Sequence, residues 1–392
     1  MSQIHSYCFQ AHPAYAAQID HLRHLDGFEL VTALDQGEVE HARWQSPNSI
    51  RLRNLTMPLQ TRLRRPKTGL LYVSGTFPPS AYHLAECGVR MHVDADDSMS
   101  ILTGGSRNRL PASIFRTRAL RLARAVRAGH LTISLWSEIQ LSNFLANFRH
   151  AESRELLDRG RISVLPPAIN SAAVDRAIGT CNTLKIVSVA AGKFWGKGVP
   201  DAIAACAQAL EAGANIELVL IGGGVPQSWL QPLASLPWVK VTGRITREAI
   251  EHELKKADLL MFPSHHDTFG WVVIEAKRYG VPTLATDFYN RSEIVSHGVD
   301  GLLVSDPYSN PYRPVSEVQY SEAHLGITPS GEILSSDQAS RHIRELSLQV
   351  IRLEKDRALL AKLGQGARLA TTGDGKFSVQ TRLSKLTKIL ND

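Results

Sequence analysis

The chain has 392 residues with a net charge of +7, 43% hydrophobic and 21% charged, the composition of an ordinary globular protein long enough for two domains. It contains no apolar run near the ~20 residues of a membrane span, no secretory signal at its start and no CxxC pair among its four cysteines. These features argue against a membrane-spanning, secreted or disulfide-framed protein and predict a cytoplasmic one with reduced thiols.

Short apolar segments alternate with helical patterns along the chain, beginning with GFELVTAL, GLLYVSG, GVRMHVDAD and LTISLW. The second half repeats the pattern with LKIVSVAAG, IELVLIGGG, WVKVTG, ADLLMFPS and VPTLATD. Buried strands that alternate with helices are typical of parallel sheets built from right-handed βαβ units. The sequence therefore predicts an α/β protein with one parallel sheet in each half.

A polar tract with Pro166 and Pro167 separates the two halves and ends where LKIVSVAAG starts the second sheet. We predict an N-terminal domain over residues 1–170, a linker over 171–183 and a second domain over 184–370. A C-terminal helix over 371–392 is expected to pack back toward the first domain. Residues 305–337 are rich in Pro and Ser, and we expect a surface excursion there.

The positive charge is concentrated in the first half, at residues 51–67 and 116–130. In the second segment five arginines recur at helical spacing among apolar residues: Arg116, Arg118, Arg121, Arg124 and Arg127. This pattern predicts an amphipathic helix with an arginine-rich face. The face is either simply solvated or a contact for anionic lipid headgroups or an anionic acceptor. Nucleic acid is not expected as a partner, because no aromatic platform accompanies the arginines.

Glycines and basic residues follow four consecutive strands of the second predicted sheet. They are Gly192, Lys193 and Lys197 after the first strand, Gly222 after the second, Gly243 and Arg244 after the third, and Asp267, Thr268, Phe269 and Gly270 after the fourth. Ligands of parallel α/β sheets bind outside the carboxyl ends of the strands, where glycines let backbone amides approach a phosphate. A helix starting near Gly270 would direct its positive end to the same place, so we expect an anionic ligand.

Two carboxylates flank the start of that helix, Asp267 in the loop and Glu275 about one turn inside the helix. A phosphate held between them by backbone amides would leave both carboxylates free to accept hydrogen bonds from hydroxyl groups. A nucleotide sugar offers such hydroxyls on both sides of its diphosphate. In the alternative interpretation Asp267 caps the helix and Glu275 is an exposed helix residue, although Glu275 follows WVVI directly and is expected to be partly buried.

The segment PSHHDTFGWVVIEAKRYGVPTLATD resembles the signature of the GT-B glycosyltransferases of family 4, in which two acids are separated by seven residues. The similarity covers residues 161–304 and includes AGKFWGKG, LVLIGGG, VKVTGRIT and EIVSHGVDGLLV. It implies two Rossmann-like domains whose parallel sheets face a central cleft. It also implies transfer of a sugar from a nucleoside diphosphate donor to an acceptor hydroxyl, with retention of configuration and without a metal or other cofactor.

The resemblance assigns roles to individual residues. It implies that Glu275 binds the ribose, that Asp267 binds the hydroxyls of the donor sugar, and that Lys193 and Lys197 neutralise the departing diphosphate. Asp267, Lys197 and Asp96 are therefore the candidate catalytic residues. The other residues of the four strand ends, from Gly192 to Gly270, are expected to bind the donor.

Three departures from the family pattern stand out. Lys193 replaces the usual arginine of the phosphate loop, so a point charge would replace bidentate phosphate recognition. The first strand lacks the glycine-rich loop that normally follows it. Asp96 and Asp97 occupy the position of the family's His-Asp pair near the reacting carbon, and a slip in this alignment would place His92 or Asp94 there.

Transferases of this fold that have a similarly basic N-terminal half often extend lipid-linked glycans at the cytoplasmic membrane face. The resemblance therefore implies an acceptor that is a glycan or a lipid-linked glycan of cell-surface polysaccharide synthesis. A non-catalytic subunit that binds nucleotide sugars is an alternative, which the missing glycine-rich loop allows. A dinucleotide-dependent oxidoreductase is disfavoured, because no GxGxxG with an acid ~20 residues further on follows a strand.

Overall fold

The computed structural model describes residues 2–8, 13–32, 69–75, 82–96, 101, 112–146, 148, 159–172, 182–190, 194–265, 267–306 and 337–391. The chain divides into two compact units. Unit 1 contains Met1–Ala168 and Val379–Asp392, and unit 2 contains Ile169–Ser378. Of the predicted features, the basic segment 51–67, Gly192, Lys193, Asp97 and nearly all of the tract 305–337 lie outside the described residues.

Unit 1 is built on a parallel sheet of six strands in the order β2-β1-β3-β4-β5-β6. The strands are β1 (Ser2–Cys8), β2 (Phe28–Thr32), β3 (Leu70–Ser74), β4 (Arg90–Ala95), β5 (Leu131–Leu135) and β6 (Ile162–Val164). The helices between them are α1 (Pro13–His21), α2 (Tyr82–Glu86), α3 (Ala112–Arg127) and α4 (Glu138–Ala146), with 3-10 turns at Leu22–His24 and Arg159–Arg161. β3 is buried along its whole length, as expected for a strand covered on both faces.

The helix α3 is the predicted arginine-rich helix. Its inner side adds apolar residues to the core of unit 1, namely Ala119, Leu122, Ala123 and Val126. Four arginines lie exposed on its outer side: Arg116, Arg121, Arg124 and Arg127. The arginine-rich face predicted from the spacing is therefore present. Among the described residues, no helix is both long enough and apolar enough to cross a membrane.

Unit 2 contains a second parallel sheet of six strands, in the order β12-β11-β10-β7-β8-β9. The strands are β7 (Leu184–Val189), β8 (Ile216–Ile221), β9 (Val239–Gly243), β10 (Leu259–Phe262), β11 (Thr283–Asp287) and β12 (Gly301–Ser305). The helices are α5 (Val199–Glu211), α6 (Gln227–Ala234), α7 (Arg247–Lys256), α8 (Trp271–Arg278), α9 (Arg291–Ile294), α10 (Asp337–Lys355) and α11 (Arg357–Leu369).

The strand order of unit 2 reverses direction between β7 and β10. The chain adds β8 and then β9 on one side of β7, and it adds β10, β11 and β12 on the other side. In open α/β sheets the connections on the two sides of such a point leave a crevice at the carboxyl ends of the strands, and ligands bind in that crevice. The segments that follow β7 and β10 are therefore the ones best placed to form a binding site.

The last helix, α12 (Val379–Asn391), packs with unit 1 rather than with unit 2. Leu386 and Leu390 join the cluster of buried residues that includes Ile4 and Tyr72. Burial of these apolar side chains holds the helix against the sheet.

A buried ion pair also holds α12. The Arg382 guanidinium contacts the Asp94 carboxylate at the end of β4, and both side chains are at most 1% exposed. Arg382 Nη1 donates hydrogen bonds to the carbonyl oxygens of Leu165 (3.0 Å) and Pro166 (2.7 Å). Burial opposes the charge of Arg382, but Asp94 outweighs it, so the pKa of the guanidinium lies above its ordinary value.

Candidate active site

Lys197 and Asp267 form an ion pair across the reversal point of the unit 2 sheet. Lys197 lies in the turn between β7 and α5, and Asp267 lies in the loop between β10 and α8. The Lys197 ammonium contacts Asp267 Oδ2, and the two side chains are 12% and 14% exposed. The two sequence-predicted residues, 70 positions apart, are thus brought together where a ligand of this fold would bind.

The turn that carries Lys197 lies directly against the loop that follows β10. Gly198 has a φ of +65°, and a Cβ there would lie 1.9 Å from the carbonyl oxygen of Pro263. Any other residue would therefore force the two segments apart. The carbonyl oxygen of Gly196 accepts hydrogen bonds from the amide of His265 (3.0 Å) and from Ser264 Oγ (3.2 Å). These contacts bring the two segments close together.

Arg291, in the first turn of α9, is a second cation beside Asp267. Its side chain is fully buried, with Nη2 4.0 Å from Asp267 Oδ2 and the guanidinium carbon 4.7 Å from the centre of the Phe262 ring. Nη1 donates to the carbonyl oxygen of Phe269 at 2.8 Å. Burial lowers the pKa of Arg291, and the Asp267 carboxylate opposes that shift. Asp267 therefore lies beside two positive charges, those of Lys197 and Arg291.

The helix α8 begins where the sequence predicted, with Gly270 as its N-cap at a φ of +95°. A side-chain hydrogen bond holds the loop that precedes α8, since Asn290 Nδ2 donates to the carbonyl oxygen of Thr268 at 3.3 Å. Phe269 is buried, and its ring lies 6.5 Å from that of Phe377. The first turn of α8 follows this fixed loop, so the positive end of the helix dipole lies on the same segment as Asp267.

Glu275 lies inside α8 and is 7% exposed. The alternative interpretation of Glu275 as an exposed helix residue is therefore wrong, and Gly270, not Asp267, occupies the cap position of α8. Glu275 Oε1 forms an ion pair with Nη2 of Arg247, the first residue of α7. Arg247 Nε also lies 3.5 Å from Glu251 Oε1. The sequence reasoning did not identify Arg247, although its position shortly after β9 follows the same strand-end rule.

Gly222 and Gly243 connect the ends of β8 and β9. The amide of Gly222 donates to the carbonyl oxygen of Gly243 at 2.9 Å. Arg244 is exposed and extends over the backbone of Gly223, since a Cβ on that glycine would lie 2.8 Å from Arg244 Cγ. A cation therefore lies beside the backbone at the end of β8, although no described contact links Arg244 to Lys197 or Asp267.

Asp96 lies in unit 1, directly after β4, and is half-buried. It accepts a hydrogen bond from the Tyr15 hydroxyl, and its backbone oxygen accepts one from Gln140 Nε2. Of the two alternative positions, Asp94 is committed to Arg382, and His92 is fully buried with a pKa lowered by desolvation to about 3. Asp96 is the most accessible of the three.

Arg291 was missed by the sequence reasoning. It follows β11, one strand beyond the four strand ends that were considered, and an arginine in the sequence TDFYNRSE carries no pattern of its own. Its position next to Asp267 becomes visible only once β10 and β11 are known to be neighbours.

Residues 179–311 match a family model described as Glycosyl transferases group 1. A D-inositol 3-phosphate glycosyltransferase of Nocardia farcinica is 29% identical over 178 residues, which cover 39% of this chain and 39% of that protein. A GDP-mannose-dependent alpha-mannosyltransferase of Corynebacterium glutamicum is 28% identical over 138 residues, which cover 35% of this chain and 32% of that protein. Both matches span less than half of the relative's own length.

The solved structure of Anabaena Alr3699/HepE in complex with UDP and glucose aligns with 100% of this chain and 100% of its own, with a TM-score of 0.61 at 14% identity. A likeness at this identity shows the fold alone. It confirms the predicted fold class, an α/β protein of GT-B type with two Rossmann-like units, each built on a parallel six-stranded sheet. The family match and the names of the curated relatives together support a glycosyltransferase.

Proposed function

We propose that this protein is a retaining glycosyltransferase of family 4 that moves a sugar from a nucleoside diphosphate sugar to a hydroxyl of a glycan or lipid-linked glycan. The observation that carries the proposal is the Lys197–Asp267 pair at the reversal point of the unit 2 sheet, within the segment that matches the family model. The assignment of a nucleotide sugar as donor is supported by relatives whose names specify such donors and by a solved neighbour that contains UDP and glucose.

In this proposal Lys197 stabilises the diphosphate as the bond to the sugar breaks. The charge on the leaving group grows in the transition state, and a fixed cation in a site of low water content stabilises it more than it stabilises the bound donor. Asp267 would accept hydrogen bonds from the sugar hydroxyls. We propose that the protein itself supplies this positive charge and that transfer needs no metal.

A thermal-shift screen with UDP, GDP and ADP sugars tests the donor. A ligand that binds only the folded state raises the melting temperature, and the matching nucleotide sugar is expected to do so while the other two do not. Slow release of free sugar from that donor would show catalysis and distinguish an enzyme from a non-catalytic binding subunit. The anomeric configuration of the product, read by NMR, tests retention. A chain that binds none of the three sugars would contradict the proposal.

Glu275→Gln is expected to weaken nucleotide binding by about 1 to 3 kcal/mol, roughly a 5- to 150-fold rise in Kd, if Glu275 accepts hydrogen bonds from the ribose. The bare nucleoside diphosphate is the right ligand, because it contains the ribose and lacks the sugar. Isothermal titration calorimetry gives the Kd directly.

Glu253→Gln is the matched control for this change. Glu253 Oε1 also forms an ion pair, with Lys240 Nζ at 3.0 Å, but this pair joins α7 to β9 and includes none of the predicted site residues. Equal nucleotide affinity in the Glu275→Gln variant and the wild type would show that Glu275 only supports Arg247.

We further propose that α3 docks the protein on anionic lipid at the cytoplasmic face of the membrane. The exposed arginines of α3 support this, since basic amphipathic helices bind anionic headgroups and this attraction is screened beyond ~10 Å at about 0.1 M salt. A triple variant, Arg121→Gln, Arg124→Gln and Arg127→Gln, is expected to lose most of its co-sedimentation with phosphatidylserine vesicles. The binding of the wild type should fall steeply as salt is added.

Three exposed arginines of α10 provide the control, as Arg341→Gln, Arg344→Gln and Arg352→Gln. This variant loses the same net charge from unit 2 and should sediment like the wild type. If both triple variants bind vesicles equally well, the arginines of α3 are only a solvated helix face.

A further inference from the structure

A buried group of four titratable side chains lies directly behind the candidate active site. We call it the His265 cluster. It contains Asp201 from the first turn of α5, His265 from the loop after β10, Asp306 from the residue after β12 and His342 from α10. His265 Nε2 lies 2.7 Å from Asp201 Oδ2, and Nδ1 lies 3.5 Å from Asp306 Oδ1. One imidazole ring therefore bridges two carboxylates that come from different parts of the chain.

The two histidines of the cluster differ in charge. Desolvation disfavours the protonated form of His265, but the hydrogen bonds and charges of Asp201 and Asp306 outweigh it and raise its pKa to about 9. For His342 desolvation dominates and lowers the pKa to about 4. At neutral pH the cluster thus holds one imidazolium between two carboxylates, with a neutral histidine beside them.

Residues of this kind can also hold a metal ion, since the donor atoms of Asp201, His265 and His342 lie within 4.8 Å of one another. The hydrogen bonds favour a proton instead. His342 Nδ1 lies 2.9 Å from the carbonyl oxygen of Ser305, and Nε2 lies 3.2 Å from Thr286 Oγ1, so both of its ring nitrogens have protein partners. The two nitrogens of His265 meet different carboxylates, so they do not converge on a shared point.

The cluster is mechanically coupled to the Lys197–Asp267 pair. The amide of His265 donates a hydrogen bond to the carbonyl oxygen of Gly196, the residue before Lys197. The ring of His265 is hydrogen-bonded to Asp201, four residues after Lys197. Asp267 is only two residues beyond His265. The His265 side chain therefore joins the loop after β10, which carries Asp267, to the first turn of α5, which directly follows the turn that carries Lys197.

We propose that His265 is a positioning residue, whose charged ring clamps the loop after β10 to α5 and thereby holds Asp267 against Lys197 for donor binding. The consequence for activity rests on the proposed function, whereas the clamp itself does not. His265→Gln removes the charged ring that contacts both Asp201 and Asp306, and it should loosen the loop after β10. Since misplacement of a reacting group by about 1 Å can cost 100-fold, we expect kcat to fall about 10- to 100-fold.

The pH dependence has a definite sign. A group whose pKa is raised in the folded state stabilises that state fully below its ordinary pKa and loses this effect as the pH rises through the folded value. For His265 the window runs from 6.5 to about 9. Wild-type kcat should therefore decline near pH 9, and the His265→Gln variant should lack that decline because it is already impaired at neutral pH.

Two measurements test the clamp without any activity. In 15N NMR spectra of the imidazole rings, both nitrogens of His265 should be protonated at pH 7. Hydrogen exchange followed by mass spectrometry should be faster at residues 263–270 in His265→Gln than in the wild type. His92→Gln, which removes a buried neutral histidine of unit 1, is the matched control and should leave exchange at these residues unchanged.

Adding Asp201→Asn to His265→Gln removes one unpaired carboxylate, so it should restore part of kcat and of the protection. Unchanged exchange at 263–270 in His265→Gln, a neutral His265 ring at pH 7, or a stoichiometric metal ion in the purified protein would each overturn the clamp. If the wild type binds and transfers no sugar, the proposed function fails, while exchange and NMR still decide the role of His265.

Discussion

Replacing Lys197 by alanine is expected to lower kcat about 100- to 1,000-fold, the typical cost of removing one preorganised group that stabilises charge in a transition state. The fold should survive, because Asp267 keeps Arg291 as a cationic neighbour at 4.0 Å. Because the interaction with the diphosphate strengthens as charge develops, kcat should fall much more than the affinity for the donor. Steady-state kinetics with the donor identified by thermal shift measure both quantities.

Lys240→Ala is the control for Lys197→Ala. Lys240 is another ion-paired lysine of unit 2, with its ammonium 3.0 Å from Glu253 and its side chain 56% exposed. Its removal should leave kcat unchanged. Near-normal turnover of a folded Lys197→Ala protein would mean that another group neutralises the diphosphate.

Replacing Arg382 by methionine is expected to destabilise unit 1 by about 3 to 5 kcal/mol, the typical cost of removing one partner from a buried ion pair. Asp94 would keep the Tyr72 hydroxyl (2.7 Å) and Trp136 Nε1 (2.9 Å) as donors but would lose its only described cationic partner. The carbonyl oxygens of Leu165 and Pro166 would also lose their donor. Unfolding in urea measures the loss of stability, and hydrogen exchange shows which unit has lost it.

Exchange should become faster in β4 and α12 and stay unchanged in the strands of unit 2. Lys385→Met, an exposed substitution on the same helix, is the control and should change stability by no more than about 0.5 kcal/mol. If the two methionine variants are equally stable, the hydrophobic contacts of Leu386 and Leu390 alone hold α12.

The fold was predictable because its signal is local. Each strand appears in the sequence as a short apolar run, and alternation with helices is sufficient to predict parallel sheets. The strands within LKIVSVAAG and IELVLIGGG were therefore predicted correctly, as β7 and β8. The start of α8 at Gly270 also follows from local residues, since a glycine tolerates the left-handed backbone at that position.

The candidate site was only partly predictable, because its contacts join distant segments. Strand ends pointed to Lys197 and Asp267, but nothing in the sequence shows that the two side chains meet. Arg291, Arg247 and His265 were not identified, since the value of each depends on a partner that the strand order brings near. The role of an arginine or histidine in such a site can be assigned only when the residues that contact it are known.

The place of α12 in the chain has a consequence for biosynthesis. Unit 1 begins at the N-terminal end, but its Arg382 anchor is translated after all of unit 2. A nascent chain can therefore complete the sheet of unit 2 on the ribosome before Arg382 has been synthesised. During that time Asp94 lacks the Arg382 counter-ion. The first unit to be made is thus the last to be finished, and a chain truncated before residue 379 would leave the ribosome with that unit incomplete.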